Sequence, residues 1–247
     1  MDKVNKIAVL CGGSSSEREI SIQSGEGVHN AICNLGYKSD LIDFKNLINL
    51  DELKTYDFVF IALHGFEGEG GKLQKDLEDL NILYSGSGPE ACRKTWNKKV
   101  TKKILRENNI NTPVSLDISE FSLKVANFNL STSTFDRFRP FNYLFLKPDE
   151  DGSSIDIFKI SDEESLKNAY KKCTNRKRGF LFEEYIEGRE LTVTIINKEC
   201  FPPIEIITNN EFYDYDAKYI SDETLHVEAK LTQSELAEIK SISLKAF

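Results

Sequence analysis

Five short stretches hold the residues that could do chemistry. The first is Gly12-Gly13-Ser14-Ser15-Ser16-Glu17-Arg18-Glu19, directly after an apolar run. Glycines at a strand end permit positive φ and let a ligand approach the backbone. Serines at a helix start can hold a carboxylate or a phosphate. A plain Gly-rich turn with Glu19 as a solvated first-turn acid fits this stretch equally well. The second, residues 64–71, sets His64, Glu67 and Glu69 among four glycines. That suits a binding loop, and it suits a structural, hydrogen-bonding histidine as well.

The third stretch is Lys147-Pro148 followed by Gly152-Ser153-Ser154. A lysine supplies charge and a Gly-Ser-Ser loop supplies N–H donors, which together suit phosphate. Lys98 offers a second cation, although each lysine taken singly is also a solvated surface charge. The fourth spans residues 182–190, where Glu183 and Glu190 flank a hinge and could accept from amine and hydroxyl donors such as those of adenine and ribose. A charged loop accounts for it as well. The fifth, residues 212–219, is rich in tyrosine and could form a lid that presents Lys218 and Tyr219 to a small polar substrate. An aromatic surface loop that partly packs is the alternative.

Elements must position these loops. Residues 7–11 predict a buried strand, and Gly25, Val28, Ile32 and Leu35 recur at helical spacing ahead of a Gly36 cap. Residues 41–44 and 58–63 predict two more strands, 72–80 a helix and 83–84 a short strand. Alternating strands and helices predict a parallel sheet covered on both faces, with the first two loops at its carboxyl edge. From Trp96 onward, residues 98–108 predict a basic helix and 115–141 an irregular polar stretch. Strands are predicted at 143–147 and 179–184, and Ser161 with Glu164 forms a capping-box pattern ahead of a helix. Residues 191–196 and 203–208 predict an antiparallel pair. Thr232 and Glu235 cap a last helix that reaches Phe247 without a stop signal, so that helix is expected to be cut short. The expected division is 1–95, 96–185 and 186–247.

Composition narrows the class. Hydrophobic residues at 40% and charged residues at 29% describe a globular chain. A net charge of −8 argues against nucleic acid as a partner. The five cysteines form no C-x-x-C pair, which argues against a disulfide framework or zinc site and for a reducing compartment. The longest apolar run, residues 58–63, is far below a membrane span, so the expectation is a soluble, cytoplasmic protein without a membrane partner.

Taken in order, the stretches read GGSSSEREIS from Gly12, HGFEGEGGKLQ from His64, KPDEDGSS from Lys147, EEYIEGRE from Glu183 and FYDYDAKY from Phe212. As a collinear set across the whole chain they resemble the D-alanine–D-alanine ligases of the ATP-grasp superfamily. The resemblance implies an α/β fold: an N-terminal parallel-sheet (Rossmann-like) domain that binds substrate, a central ATP-grasp α+β lobe and an incomplete C-terminal ATP-grasp lobe. It implies ATP and Mg²⁺ (or Mn²⁺) as cofactors. One D-alanine is phosphorylated on its carboxylate, and the amine of a second attacks the acyl phosphate to give a dipeptide for peptidoglycan. A homodimer is implied too, without any residue here that specifies it.

Position by position, the resemblance makes Glu17 the acid for the first D-alanine's ammonium, with Ser153 and Tyr219 as its hydrogen-bonding partners and His64 nearby. Lys98 and Lys147 become the phosphate cations, with Ser153 and Ser154 in the phosphate loop. Glu183 becomes the adenine-side acceptor, Glu190 the ribose-side acceptor and Lys218 a lid residue reaching the phosphates. Gly70, Trp96-Asn97 and Asp156 depart from the family's Asp, Met-Asp and Gly. Asp156 is expected to weaken phosphate affinity by its charge and stiffness. The family's metal ligands are expected beyond Phe247, so no metal residue is assigned and the chain alone is expected to have little or no activity. Two other readings stay open: a non-catalytic remnant that binds D-alanine or nucleotide, and another ATP-grasp carboxylate–amine ligase.

Overall fold

The apolar run at residues 7–11 sits at the centre of a sheet, where Ala8, Val9 and Leu10 are fully buried. The structure, a computed structural model, describes residues 4–122 and 143–247. These form two compact units, Met1–Asn97 and Lys98–Phe247.

In the first unit, β1 (Lys6–Cys11) is flanked by β2 (Lys38–Asp43) and β3 (Phe58–Ile61), all parallel, in the order β2-β1-β3. The crossover from β1 to β2 is α1 (Arg18–Asn34), which ends ahead of Gly36 at φ 86°. Then come α2 (Phe66–Glu69), α3 (Lys72–Asp79) and α4 (Pro89–Trp96). The core joins Ala8, Leu10, Leu53, Val59, Leu73 and Leu77. The sheet is not covered evenly: Lys38, Asp40 and Leu41 of the edge strand β2 are exposed. The expected strand at 83–84 reduces to a single parallel bridge between Tyr84 and Val59.

The second unit opens with α5 (Lys98–Glu107), as the basic pattern predicts. A four-stranded antiparallel sheet follows: β4 (Ser115–Ile118), β5 (Leu144–Pro148), β6 (Phe158–Ile160) and β7 (Phe180–Glu184), in the order β4-β7-β5-β6. The expectation of an irregular stretch at 115–141 is corrected at its start, because residues 115–118 gain a full register against β7; residues 123–141 lie outside the described residues. Between β6 and β7, α6 (Glu163–Lys172) lays Leu166 and Ala169 onto Leu146, Phe180 and Phe182. Its cap is one residue later than the Ser161/Glu164 pattern. The Asp162 side chain accepts from Ser165 N at 2.7 Å, and Ser165 Oγ accepts from Asp162 N at 3.0 Å. The Asp162 carboxylate reaches the third amide, and the Ser165 hydroxyl stands where a glutamate or glutamine closes the usual box.

Beyond β7, the expected strand at 191–196 breaks into β8 (Glu190–Thr192) and β9 (Ile195–Ile196). The second of these turns back through Asn197 and Lys198, at φ 51° and 67°, to pair with β10 (Glu199–Cys200). β11 (Ile204–Ile207) pairs with β8, as expected of an antiparallel pair, and with β12 (Leu225–Glu228). A short helix, α7 (Tyr215–Tyr219), lies between them in sequence. Thr232 and Glu235 do cap the last helix, α8 (Gln233–Ala246).

Helix α1 lies so close to β1 that a Cβ on Gly25 would stand 2.5 Å from Cys11 Cβ, whereas one on Gly27 would meet nothing within 4 Å. Gly25→Ala is therefore expected to destabilise by about 1–3 kcal/mol through overpacking. Gly27→Ala is expected to stabilise by roughly 0.5–1 kcal/mol through helix propensity. Urea midpoints of the two variants check this opposition.

Candidate functional site

In the first unit the glycine pair follows β1 at φ 75° and 77°, and its N–H groups meet Ser21 of α1 and Asp43 of β2. Gly12 N donates to Ser21 Oγ at 2.9 Å, and Ser21 Oγ donates to the Ala62 carbonyl at 2.7 Å, so one buried hydroxyl links the ends of β1 and β3. Arg18 donates to Gly13 O at 2.8 Å and to Asp43 Oδ1 at 2.9 Å. That guanidinium holds the Asp43 carboxyl down at about 2, with backbone N–H donors adding to the effect. The sequence reading missed this pair. The register pairs Cys11 with Asp43, which places the acid beside the loop, but only the strand order reveals it.

The first loop is fastened to the second by Glu67, which accepts from Ser14 N and Ser14 Oγ, both at 2.7 Å. A side chain on Gly13 would collide with that same carboxylate. Ser15 Oγ donates to the His64 carbonyl at 3.3 Å and accepts from Glu17 N at 3.2 Å. Glu17 is only 4% exposed, and a Cβ on Gly65 would stand 3.3 Å from its Oε2. The structure thus brings Glu17 and His64, both expected site residues, to one place. His64 Nε2 lies 3.3 Å from Ser24 Oγ and Nδ1 lies 3.8 Å from Glu69 Oε1. The Glu69 interaction raises the imidazole pKa against the opposing effect of burial, and the charge of Glu17 adds to the rise. A buried carboxylate beside an imidazole in a glycine-lined turn suits an ammonium group.

The departures at Gly70 and Trp96 are packed together. A Cβ on Gly70 would come within 2.6 Å of the Phe66 ring, and that ring meets Trp96 edge-on with centroids 5.8 Å apart.

In the second unit, β5 and β7 carry Lys147 and Glu183. Glu183 Oε1 is 2.5 Å from Lys147 Nζ, and its Oε2 accepts from Lys102 Nζ at 2.7 Å. Lys102 also donates to Thr112 Oγ1 at 2.9 Å. Burial pushes the Glu183 pKa up, but the charge of Lys147 and the hydrogen bonds from both lysines outweigh it and leave it below the ordinary range. Lys102 was not foreseen. Its spacing of four from Lys98 puts both lysines on one helix face, which is the one signal the sequence carries. Lys98 Nζ donates to the Asp151 carbonyl at 2.7 Å. Burial lowers its pKa to about 8, and the charge of Lys147 acts in the same direction.

Ser153 and Ser154 take left-handed φ values of 52° and 59°. Ser153 Oγ lies 2.7 Å from Tyr219 OH, and Ser154 Oγ donates to the Tyr213 carbonyl at 3.0 Å. The tyrosine-rich stretch is therefore held on the Gly-Ser-Ser loop at two points. Its helix α7 starts at Asp214, whose side chain accepts from Ala217 N at 2.9 Å. A cavity of about 650 Å³ is lined by Lys147, Ser154, Ile186, Glu190, Phe212 and Lys218, among others. Glu183 does not line it. Each of its two oxygens is held by an ammonium group, one from Lys147 and one from Lys102.

The expectation for Asp156 also changes. Its carboxylate accepts from Thr174 N at 2.9 Å, Thr174 Oγ1 at 2.7 Å and Arg178 Nη2 at 2.5 Å. It is ion-paired with Arg178, which also pairs with Asp151. Among the described residues no group of three or more His, Cys, Asp or Glu side chains is placed to hold a metal ion. Among those residues no helix is long and apolar enough to cross a membrane.

Residues 136–247 match the family model described as D-ala D-ala ligase C-terminus. The D-alanine–D-alanine ligase B of Clostridium perfringens is 34% identical over 244 residues, covering 98% of this chain and 78% of the relative. The D-alanine–D-alanine ligase of Thermotoga maritima is 37% identical over 250 residues, with the same shares of 98% and 78%. Among solved structures, D-alanyl-alanine synthetase A of Vibrio cholerae is similar at TM-score 0.81 and 26% identity, covering 99% of this chain and 80% of that one. The D-alanine–D-alanine ligase of Bacillus anthracis complexed with ATP is similar at TM-score 0.77 and 26% identity, covering 98% and 76%.

The Arg18–Asp43 pair sets an acid limb of stability. Asp43 is held at about 2 against an ordinary 3.8, so its contribution is fully present above pH 3.8 and is lost as pH falls through 2. Asp43→Asn is expected to flatten that part of the curve. Urea midpoints measured between pH 5 and 2 would show an unchanged slope if the pair were inert.

Proposed function

From the premise that this chain belongs to the D-alanine–D-alanine ligase family, we propose that it binds ATP and D-alanine and serves the ATP-dependent joining of two D-alanines through a D-alanyl phosphate. A carboxylate is a poor acyl donor until one oxygen becomes a good leaving group, which is what phosphorylation supplies. The chain's own residues divide that work. Glu17 accepts from the ammonium of the first D-alanine, and His64 adds a polar group beside it. Lys147 and Lys98 are cations for the phosphates and offset charge that shifts during transfer. The amides and hydroxyls of Ser153 and Ser154 add donors.

The observation that carries this reading is the 2.7 Å contact between Ser153 Oγ and Tyr219 OH. A loop built to donate to anionic oxygens and an aromatic lid are joined directly by their hydroxyls, beside a cavity lined by Lys147, Lys218 and the acceptor Glu190. These residues fit a nucleoside triphosphate: cations at one end, and a carboxylate that can accept from ribose hydroxyls. Glu183 holds Lys147 in place. The described residues do not fit a divalent metal site, so no step is assigned to Mg²⁺. The chain's free cysteines suit the reducing cytoplasm.

Two measurements test the site. Lys98 is a cation below about 8, so ATP affinity should fall as pH rises from 7 to 9, and ATP should draw a proton onto the protein near pH 8. Calorimetry in buffers of different ionisation enthalpy reads that proton. Lys98→Met should remove it and weaken ATP binding by roughly tenfold or more. A Lys98→Met variant that still takes up the proton would put the titrating group elsewhere. Glu17→Gln should weaken D-alanine binding by roughly tenfold or more, and unchanged affinity would end the role given to Glu17. Phosphate release from ATP with D-alanine separates slow ligation from binding alone.

A further inference from the structure

The loop after β5 holds an unusual backbone. Asp151, Ser153, Ser154 and Asp156 all have φ in the left-handed region, at 105°, 52°, 59° and 55°. Residues with a Cβ avoid this region, and a run of them persists only where surrounding contacts over-determine it. Arg178 provides those contacts. It lies between α6 and β7, its Nη1 pairs with Asp151, and its Nη2 is 2.5 Å from Asp156 Oδ2. One guanidinium therefore ties both ends of the loop. The Asp156 carboxylate also accepts from Thr174 N at 2.9 Å, Thr174 Oγ1 at 2.7 Å and Asn175 N at 3.3 Å, which anchors it to the segment that carries Arg178. The Arg178 guanidinium lies 5.6 Å from the Phe180 ring centroid. Both of its terminal nitrogens are engaged by carboxylates, which occupies the guanidinium in holding the loop.

We propose that Arg178 is a positioning residue: with Asp151 and Asp156 it clasps the Gly152-Ser153-Ser154 turn in the conformation that faces phosphate. Asp156 stands where the resemblance expects glycine, and the clasp does for it what a glycine does by having no Cβ. This rests on the reading that the loop receives the phosphates of ATP. A planar fork is required, because one ammonium cannot bridge two carboxylates with the same geometry.

The test uses the full chain and the variants Arg178→Gln, Arg178→Lys, Asp156→Gly and the double variant Arg178→Gln/Asp156→Gly. ATP and adenosine are titrated by calorimetry, and hydrogen exchange of amides 152–156 is followed without nucleotide. Arg178→Gln should lower ATP affinity by about tenfold, leave adenosine affinity in place and speed exchange in the loop. Arg178→Lys should recover little of the loss. Adding Asp156→Gly to Arg178→Gln should return ATP affinity toward wild type, because glycine needs no clasp at φ 55°. The proposal is overturned if loop exchange is unchanged in Arg178→Gln, if ATP and adenosine affinity fall together, or if the double variant is no better than the single one. Wild-type protein that binds no ATP would defeat the site reading, while the exchange comparison would still decide the clasp. If Arg178→Gln does not fold, Asp156→Asn, which keeps size and drops charge, carries the same comparisons.

Discussion

A single carboxylate gripped by two ammonium groups organises the second unit. Glu183 is 9% exposed and Lys102 is 5% exposed, so neither charge is solvated as it would be at the surface. Removing one member of such a buried set commonly costs about 3–5 kcal/mol, because the remaining charge is left without a partner. The set carries a net positive charge: two ammonium groups against one carboxylate. The carboxylate is spent on fixing positions and not on cancelling the field. Lys102 is buried within α5 and cannot offer its charge outward, while Lys147 lines the cavity. The arrangement delivers one positive charge at a fixed point beside a space of about 650 Å³. A cation on a flexible stem loses side-chain entropy whenever a ligand fixes it, and Lys147 has lost that freedom already on folding.

The two units solve one backbone problem in different ways. Aiming consecutive N–H groups at an anion or a neighbouring loop requires left-handed φ at some residues. The first unit uses glycines: Gly12, Gly13, Gly65 and Gly71 all have positive φ, and the close approach of Glu67 leaves no room for a side chain at Gly13. The second unit uses residues with side chains and restrains them by hydrogen bonds and ion pairs. Glycine brings the conformation without contacts but also brings freedom to leave it. Restrained residues keep the conformation only while their partners are in place.

That difference decides what could be read from the sequence. The glycine loops were legible because glycine and its position after an apolar run carry the information locally. Strand β1 and helix α5 were legible for the same reason, through a run of apolar residues and a basic amphipathic pattern. The contacts that hold the functional side chains were not. Asp43 meets Gly13 and Arg18 only because β2 pairs with β1 in one register. Lys102 meets Glu183, 81 positions away, only because β7 lies at the sheet centre. Local signals misled where two residues of similar chemistry compete, as at the cap of α6, where Asp162 outcompetes Ser161 for the free amides. Strand β4 was missed although Ser115-Leu116-Asp117-Ile118 alternates polar and apolar, because four residues are a short signal and the pairing with β7 is not local.

The departures from the family pattern follow the same logic once their neighbours are known. Gly70 removes a side chain and Phe66 fills the space, with Trp96 packed on its ring. Asp156 adds a side chain and a charge, and Thr174, Asn175 and Arg178 take up both. Judged position by position, each substitution subtracts something the family loop has. Judged with its partners, each substitution is accommodated by its neighbours: the Phe66 ring lies against Gly70, and Arg178, Thr174 and Asn175 hold Asp156. A substitution at a binding loop is therefore better weighed against the side chains that touch it than against the residue it replaces. In this chain those side chains lie up to 22 positions away, as Arg178 does from Asp156, where a motif comparison does not look.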